Sequence, residues 1–207
     1  AITRIDTQGV PPQAFLGVAG MPGMTAYVGL LRVAALKDGD VVFVSAAAGA
    51  VGSVVCQIAK LKGHTVIGSA GGPEKVAFLK SIGVDHVIDY KATPDVVAEL
   101  AKVAPKGIDG YFENVGGAHL EAALNSARPF GRFALCGMIS QYNDTERAAG
   151  LANIIMAVGK SLRLEGFIVS NHYALFPAFV RDMPDYIGSG KLKMKETVFD
   201  GVERAPE

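Results

Sequence analysis

Residues 41–52 read VVFVSAAAGAVG. The four apolar residues at the start predict a strand that is buried on both faces, and the small residues after them predict a tight turn into a helix. The turn has the spacing Ala47-x-Gly49-x-x-Gly52. Small residues at this spacing let the backbone approach a pyrophosphate, and the helix N-terminus then points its N–H groups at the anion. The stretch therefore predicts a dinucleotide site, with alanine in place of one of the three usual glycines.

The composition limits the classes of function. The chain has 207 residues, half of them hydrophobic, with 20 basic and 20 acidic side chains. This length suits one large domain or two small ones, and the balanced charge gives no indication of a nucleic-acid partner or a membrane surface. Cys56 and Cys136 lack metal-ligand or disulfide-framework spacing. This cysteine usage favours a cytoplasmic protein, and residues 1–6 lack the basic end and apolar stretch of a signal peptide.

One segment resembles a membrane span in its length. Residues 41–59 carry no charged side chain, and about 20 apolar residues suffice to cross a bilayer. Polar and glycine residues interrupt the stretch, however, at Ser45, Gly49, Gly52, Ser53 and Gln57. We therefore interpret it as strand, turn and helix, and expect no membrane partner.

Strand-like and helix-like segments alternate along the chain. The predicted strands cover residues 41–45, 65–69, 86–90, 110–114, 131–136 and 162–169. The predicted helices cover residues 24–36, 50–62, 73–81, 94–103, 117–126, 151–159 and 173–188. The alternation predicts an α/β fold, a doubly wound, mainly parallel six-stranded Rossmann sheet with helices on both faces. Residues 194–199 could form a further strand, but it has no obvious partner.

The chain divides into one predicted domain with two flanking segments. Residues 1–22 are rich in Gly and Pro and show little periodicity, so we interpret them as a linker or remnant. Residues 23–190 form the predicted dinucleotide-binding domain. Residues 191–207 are interpreted as a truncated segment that leads toward another domain. The sequence is thus typical of a cofactor domain from a larger protein.

The residues after the second predicted strand favour NADP(H) over NAD(H). NAD sites carry an acid about 20 residues past the glycines, where it binds the ribose hydroxyls. Here residues 69–72 read SAGG and contain no acid. This leaves room for the 2′-phosphate of NADP, and Lys75 follows closely enough to pair with it. The alternative is that Lys75 is only a solvated helix lysine.

Other polar residues give no sign of a metal centre or of acid–base catalysis. The four histidines, His64, His86, His119 and His172, are scattered without ligand spacing, so no metal is expected. Asp109 and Glu113 flank the fourth predicted strand, and neither has a carboxylate partner at a spacing that indicates acid–base catalysis. These residues therefore indicate neither a metal-dependent nor an acid–base mechanism.

Four segments together resemble a known family. Residues 21–27 (MPGMTAY), 46–53 (AAAGAVGS), 111–117 (YFENVGG) and 136–143 (CGMISQYN) are similar to the zinc-independent medium-chain dehydrogenases/reductases, in the prostaglandin reductase and alkenal/one oxidoreductase branch. The resemblance runs in order from about residue 15 to residue 200. It implies NADPH-dependent reduction of a carbon–carbon double bond in a small α,β-unsaturated aldehyde or ketone.

The resemblance also implies roles for individual residues. Those implied to bind the cofactor are Gly49, Ala50, Val51 and Gly52 at the pyrophosphate, Lys75 and Tyr90 at the 2′-phosphate end, Asn114 near the ribose, Cys136, Gly137, Ile139 and Ser140 on the nicotinamide side, and Phe167, Ile168 and Val169 completing that wall. Tyr142 is the candidate catalytic residue, because a hydrogen-bond donor must stabilise the enolate oxygen. The alternative for Tyr142 is an exposed loop tyrosine without a role.

The resemblance leaves some questions open. Family members also carry an N-terminal GroES-like substrate domain, which is nearly all missing here, so we expect the chain alone to be inactive. The alternatives are an NADPH:quinone reductase of the same superfamily and, from another class, a non-catalytic NADP-sensing module. The sequence leaves the oligomeric state open, although many relatives pair as homodimers through the edge of this sheet.

Overall fold

The computed structural model describes residues 7, 9–143, 145 and 150–204. Within them, six strands form one parallel sheet in the order β3-β2-β1-β4-β5-β6. The strands are β1 (Val41–Val44), β2 (Thr65–Ala70), β3 (His86–Asp89), β4 (Ile108–Glu113), β5 (Ala127–Leu135) and β6 (Arg163–Gly166). The strand order reverses between β1 and β4, which is where open parallel sheets place their ligands. The predicted Rossmann architecture is confirmed.

Helices cover both faces of the sheet. They are α1 (Met21–Val28), α2 (Gly52–Leu61), α3 (Pro73–Ser81), α4 (Val96–Val103), α5 (Gly117–Ser126), α6 (Ile155–Gly159) and α7 (Phe176–Gly188). Side chains of α1, α2, α3 and α7 join one hydrophobic core, and those of α4, α5 and α6 join the other. Along β1, Val42 and Val44 face the first core, whereas Phe43 faces the second. This alternation explains why the strand is apolar throughout.

Specific residues fix where α3 and α4 begin, near the carboxyl edge of the sheet. Gly72 adopts φ +97° at the end of the β2 turn, and Pro73 then occupies the first position of α3, where its missing N–H costs nothing. The Asp95 side chain accepts a hydrogen bond from the Ala98 N–H at 2.9 Å and caps α4.

The first predicted helix, over residues 24–36, is wrong at both ends. The helix α1 begins at Met21 and continues through a π-helical turn, Gly29–Val33. In that turn the Ala34 N–H donates to the Gly29 carbonyl at 2.8 Å. A Cβ at Gly29 would overlap the Phe112 ring and lie 2.8 Å from the Phe167 ring. Close packing of α1 on the sheet therefore requires glycine here.

Two predicted strands are also corrected. The sixth, expected over residues 162–169, ends at Gly166, and the chain turns into a 3₁₀ helix, Val169–Leu175. Residues 194–199 form no strand. They belong instead to a segment that lies beside α2 and α3, where Lys193 bonds to Gln57 and Lys195 pairs with Glu74. The remaining predicted strands and helices are present with boundaries that differ by a few residues.

Residues of both predicted flanking segments pack on the main core. Val10, Ala14 and Val18 are buried there, and so is Leu192 after α7. Residues 1–6, 8 and 205–207 of these segments lie outside the described residues. Of the helices that the structure describes, not one is both long enough and apolar enough to cross a membrane.

Candidate functional site

The loop between β1 and α2 is a compact cradle at the carboxyl edge of the sheet. Ala46 adopts a left-handed conformation with φ +46°, and the Gly49 N–H donates to its carbonyl at 3.0 Å. The Ala47 N–H donates to the Ser69 carbonyl at 2.9 Å, which ties the loop to β2. A Cβ at Gly52 would overlap the Ala46 carbonyl oxygen. The glycine therefore allows α2 to start directly against the loop.

Alanine occurs in place of the first glycine because the neighbouring strand makes room for it. Ala47 is fully buried, and its methyl group lies over Gly68 of β2, where an added Cβ would be 2.9 Å from it. The loop thus carries alanine and the facing strand carries glycine, and the two elements still pack closely.

Three N–H groups at the start of α2 fit an anion. Within the described part of the chain, the backbone N–H groups of Ala50, Val51 and Gly52 donate to no protein acceptor. The first N–H groups of a helix lack intrahelical acceptors, and the helix dipole favours negative charge beside them. These groups and the cradle formed by Gly49 and Gly52 fit the pyrophosphate of a dinucleotide.

The predicted 2′-phosphate end is assembled from two adjacent strand ends. The Tyr90 N–H donates to the Ala70 carbonyl at 3.3 Å, and a Cβ at Gly71 would lie 2.8 Å from the Tyr90 ring. Lys75 is exposed in the first turn of α3, three residues after Gly72. The structure thus brings Gly71 and Tyr90 together, and Lys75 follows Gly71 closely in the chain.

Two charged residues at this end were missed by the sequence reasoning. The Lys91 side chain passes over Gly71, where an added Cβ would lie 3.0 Å from its Cε atom. The Asp89 carboxylate accepts hydrogen bonds from the N–H groups of Gly72 at 3.0 Å and Lys91 at 3.1 Å. The Gly72 bond, more than the others, lowers the Asp89 pKa. The sequence signal that could have found Asp89 and Lys91 is that they flank Tyr90 on either side.

Hydrogen bonds hold Asn114 between the ends of β1 and β4. The Asn114 side-chain Nδ2 donates to the Ser45 carbonyl at 2.7 Å, and its backbone N–H donates to Ser45 Oγ at 2.8 Å. The Ile139 N–H donates to the Asn114 carbonyl at 3.1 Å. Asn114 is therefore fixed at the point where the strand order reverses, between the cradle and the loop after β5.

A cleft of about 390 Å³ opens at the ends of β5 and β6. It is lined by Leu135, Cys136, Gly137, Met138, Gly166, Phe167, Ile168 and Asn171. Four predicted nicotinamide-side residues, Cys136, Gly137, Phe167 and Ile168, are thus brought together, whereas Ile139, Ser140 and Val169 lie outside the lining. Asn171 was missed by the sequence reasoning, because it lies in the 3₁₀ helix that fills the unassigned gap between the sixth predicted strand and the last predicted helix.

The side chains in this cleft have different environments. The Phe167 ring packs edge-on against Phe112 at 6.2 Å in the main core, so its main chain is the part suited to a ligand. Burial, reinforced by the charge of Glu113, raises the pKa of the Cys136 thiol to about 11. The thiol is therefore neutral near pH 7 and is not an activated nucleophile.

Tyr142 places its hydroxyl at the same cleft. The side chain is 63% exposed, yet its hydroxyl oxygen accepts a hydrogen bond from the Met138 N–H at 3.2 Å. A Cβ at Gly137 would lie 2.8 Å from this hydroxyl. Because the oxygen is the acceptor in the bond from Met138, its own proton remains able to donate to a ligand.

A segment distant in sequence borders the cradle. A second cleft, of about 330 Å³, is lined by Ala48, Gly49 and Ala50 on one side and by residues 193–195 and Thr197 on the other. The buried Gln57 side chain fixes this segment, because it donates to the Lys193 carbonyl at 3.0 Å and accepts from its N–H at 2.7 Å. No local pattern could have predicted this contact between α2 and the chain after α7.

An ion pair anchors the same segment to α3. The Lys195 ammonium lies 2.7 Å from the Glu74 carboxylate and 5.6 Å from the centre of the Phe78 ring. This hydrogen bond and the lysine charge lower the Glu74 pKa. In the part of the chain that the structure describes, no group of three His, Cys, Asp or Glu side chains is arranged to hold a metal ion.

Comparison with known proteins shows that the chain is similar to dehydrogenases and reductases. The profile of the family described as zinc-binding dehydrogenase matches residues 50–183. The chain is 47% identical over 204 residues to an NADP(+)-dependent 2-alkenal reductase from Nicotiana tabacum, covering 98% of the chain and 59% of that protein. It is 43% identical over 198 residues to prostaglandin reductase 1 from Rattus norvegicus, covering 95% of the chain and 60% of that protein.

A solved structure agrees with these matches. CurA from Vibrio vulnificus, determined in complex with NADPH, superposes with a TM-score of 0.89 at 44% identity. The superposition covers 98% of the chain and 61% of CurA. The chain thus spans about three fifths of the length of these relatives.

Proposed function

Because the chain belongs to the zinc-independent medium-chain dehydrogenase/reductase family, in the alkenal and prostaglandin reductase branch, we propose that it is the NADP(H)-binding part of an oxidoreductase. The complete protein would reduce the carbon–carbon double bond of an α,β-unsaturated aldehyde or ketone. The relatives named above supply the reaction class, and the described residues supply the means to bind the cofactor.

One observation carries the proposal. The N–H groups of Ala50, Val51 and Gly52, which have no acceptor in the described residues, lie at the same edge of the sheet as the cleft beside Cys136 and Gly137. A single extended ligand along this edge, with its phosphates at α2, could reach both Tyr90 and that cleft. Gly49, Lys75 and Asn114 would complete its contacts. In this proposal Lys75 and Tyr90 hold the 2′-phosphate.

The proposed chemistry assigns separate tasks to the protein and the cofactor. When bound, NADPH would supply a hydride to the β-carbon of the double bond, and solvent or a relay would supply the proton that the α-carbon takes. As negative charge builds on the substrate carbonyl oxygen, the Tyr142 hydroxyl would donate a hydrogen bond to it, while the Met138 N–H holds the phenol oxygen in place. Along the cleft, main-chain atoms of Phe167 and Ile168 and the nearby Ile139, Ser140 and Val169 would confine the nicotinamide side.

The test is a screen of the full protein that contains this chain. NADPH oxidation is followed with enals, enones, quinones and the matching saturated aldehydes, and NADH is run in parallel. We expect turnover with enals or enones and NADPH, with the saturated product identified by mass spectrometry. Turnover confined to quinones would replace the proposal with a quinone reductase. NADPH binding without oxidation of any of these compounds would instead indicate a sensing module.

We also propose that the protein is a cytoplasmic homodimer that pairs through the free edge of β6. The strand is the last in the sheet, and α6, which leads into it, exposes Ile155 and Val158 at 67% and 75%. A stripe of this kind beside an open strand favours pairing. Sedimentation velocity would measure the assembly state, and we expect Val158→Asp to shift dimer toward monomer.

The cytoplasmic location is a separate part of the proposal. Fractionation of cells would test it.

A further inference from the structure

A buried carboxylate lies directly beneath Asn114. Glu113 ends β4 and has no exposed surface. Its Oε1 accepts two hydrogen bonds, from Ser45 Oγ at 2.9 Å and from the Val115 N–H at 2.6 Å. Its Oε2 is buried and has no hydrogen-bond partner in the described residues. Burying a carboxylate is costly unless hydrogen bonds or an opposite charge offset the lost hydration, and here only one of the two oxygens is hydrogen-bonded to a described residue.

Ser45 links Glu113 to Asn114 through hydrogen bonds of its hydroxyl group. A hydroxyl has one proton, so a Ser45 Oγ that donates to Glu113 turns its lone pairs toward the Asn114 N–H, which donates to it at 2.8 Å. The Ser45 carbonyl accepts from Asn114 Nδ2 at 2.7 Å. Both nitrogen donors of Asn114 are therefore held by Ser45. The carboxamide Oδ1 accepts no hydrogen bond from any residue that the structure describes.

We propose that Glu113 is a positioning residue for the nicotinamide-ribose end of the site. Glu113 fixes the main chain on both sides of Asn114, through the Ser45 hydroxyl at the Asn114 N–H and directly at the Val115 N–H. The Ser45 carbonyl holds Asn114 Nδ2, so that Oδ1 accepts a hydrogen bond from a ribose hydroxyl of the cofactor. This inference rests on the proposed function, because it needs a dinucleotide in the site. It adds a residue that touches no ligand but holds the main chain from which the Asn114 side chain reaches the ligand.

The nature of the side chain at position 113 decides what each substitution does. In Glu113→Gln, the amide oxygen can still accept from Ser45 and Val115. In Glu113→Leu, the Val115 N–H loses its acceptor, and the Ser45 hydroxyl keeps only the Phe112 carbonyl, at 3.4 Å, among the described acceptors, so it turns away from its present direction. Ser45→Ala removes the relay alone and leaves the carbonyl that accepts from Asn114 Nδ2. It also tests the inference if Glu113→Leu does not fold.

The experiment measures the affinity of the full protein for two probes by titration calorimetry. NADPH contains the nicotinamide ribose, whereas 2′,5′-ADP contains only the adenosine 2′-phosphate end. We expect Glu113→Leu, Ser45→Ala and Asn114→Ala each to weaken NADPH binding about tenfold, the range for one buried hydrogen bond lost. Binding of 2′,5′-ADP should stay within about twofold of the wild type, and Glu113→Gln should resemble the wild type with both probes.

Two further variants distinguish positioning from general damage. Leu100→Ala opens a cavity at a fully buried position in the core formed with α4, α5 and α6, and should lower the melting temperature without changing the ratio of the two affinities. Glu113→Leu combined with Asn114→Ala should lose no more NADPH affinity than either change alone, because both act on the same hydrogen bond.

The outcomes separate the inference from the function on which it rests. A wild type that binds neither probe overturns the proposed function, and this inference with it. A wild type that binds both, with Glu113→Leu or Ser45→Ala weakening both equally or neither, overturns the positioning role alone. Additive losses in the double variant would overturn it as well.

Discussion

Gly52 packs against the carbonyl oxygen of Ala46 so closely that a Cβ atom there would overlap it. The same atom would lie 2.9 Å from the Cα of Ala47. Ala46 itself holds a left-handed φ of +46°, so the loop has little freedom to move away. The close approach fixes where α2 begins and therefore where its first N–H groups point.

Gly52→Ala should weaken NADPH binding by more than tenfold and destabilise the fold by about 1–3 kcal/mol, because α2 must shift away from the loop. Titration with NADPH and urea unfolding would measure the two effects. Gly159→Ala is the matched control, since a Cβ there meets nothing within 4 Å and the residue has an ordinary φ. An unchanged affinity in Gly52→Ala would show that the loop relaxes more easily than its packing indicates.

Lys75→Ala should reduce NADPH affinity about tenfold and barely affect NADH, because only NADPH carries the 2′-phosphate. A hydrogen bond to a charged group contributes about 1.5–3 kcal/mol, and the exposure of Lys75 favours the lower end. Lys80→Ala, an exposed lysine in the last turn of the same helix, serves as the control. Equal losses for both cofactors in a fluorescence titration would argue against phosphate recognition by Lys75.

Tyr142→Phe in the full protein should lower kcat with an enone on the order of 10²-fold, because one donor to the developing oxyanion is removed. The dissociation constant of NADPH should change little. Steady-state kinetics and a binding titration measure the two quantities separately. Tyr173→Phe, at another exposed tyrosine, should leave both unchanged, and the same result for Tyr142→Phe would remove Tyr142 from the reaction.

Acidification should destabilise the fold partly through His119. Burial lowers the pKa of this side chain below its ordinary value of 6.5, although the charge of Glu113 acts in the opposite direction. Below pH 6.5 the unfolded chain therefore binds more protons than the folded one. Stability is lost as the pH falls through 6.5 toward the folded-state pKa.

The measurement is the free energy of urea unfolding at several pH values between about 7.5 and 5.5. His119→Phe keeps a ring beside Phe43 and Tyr90 but cannot titrate, so its stability should fall less steeply with acid than that of the wild type. A residual slope is expected from His64, whose pKa burial also lowers. Identical slopes in the variant and the wild type would exclude His119 as a source.

The central strand β1 was predictable because it is almost entirely buried, with side chains in both cores. Residues 41–44 are a continuous apolar run, and the structure pairs them with β2 and β4 over that run. The end of the sixth strand was not predictable, because residues 167–169 remain apolar after Gly166 while the chain leaves the sheet. The apolar side chain of Phe167 packs against Phe112 in the core and does not extend the strand.

The sequence by itself determined the sheet, the cradle and the residue types at the strand ends, since local periodicity and small-residue spacing encode them. Only the tertiary structure decided which side chains meet. It brought Lys91 over Gly71, bonded Lys193 to Gln57 and linked Asn114 to Glu113 through Ser45. These contacts join residues from different strands or from distant parts of the chain, and the packing of the sheet and its helices, rather than spacing along the chain, creates them.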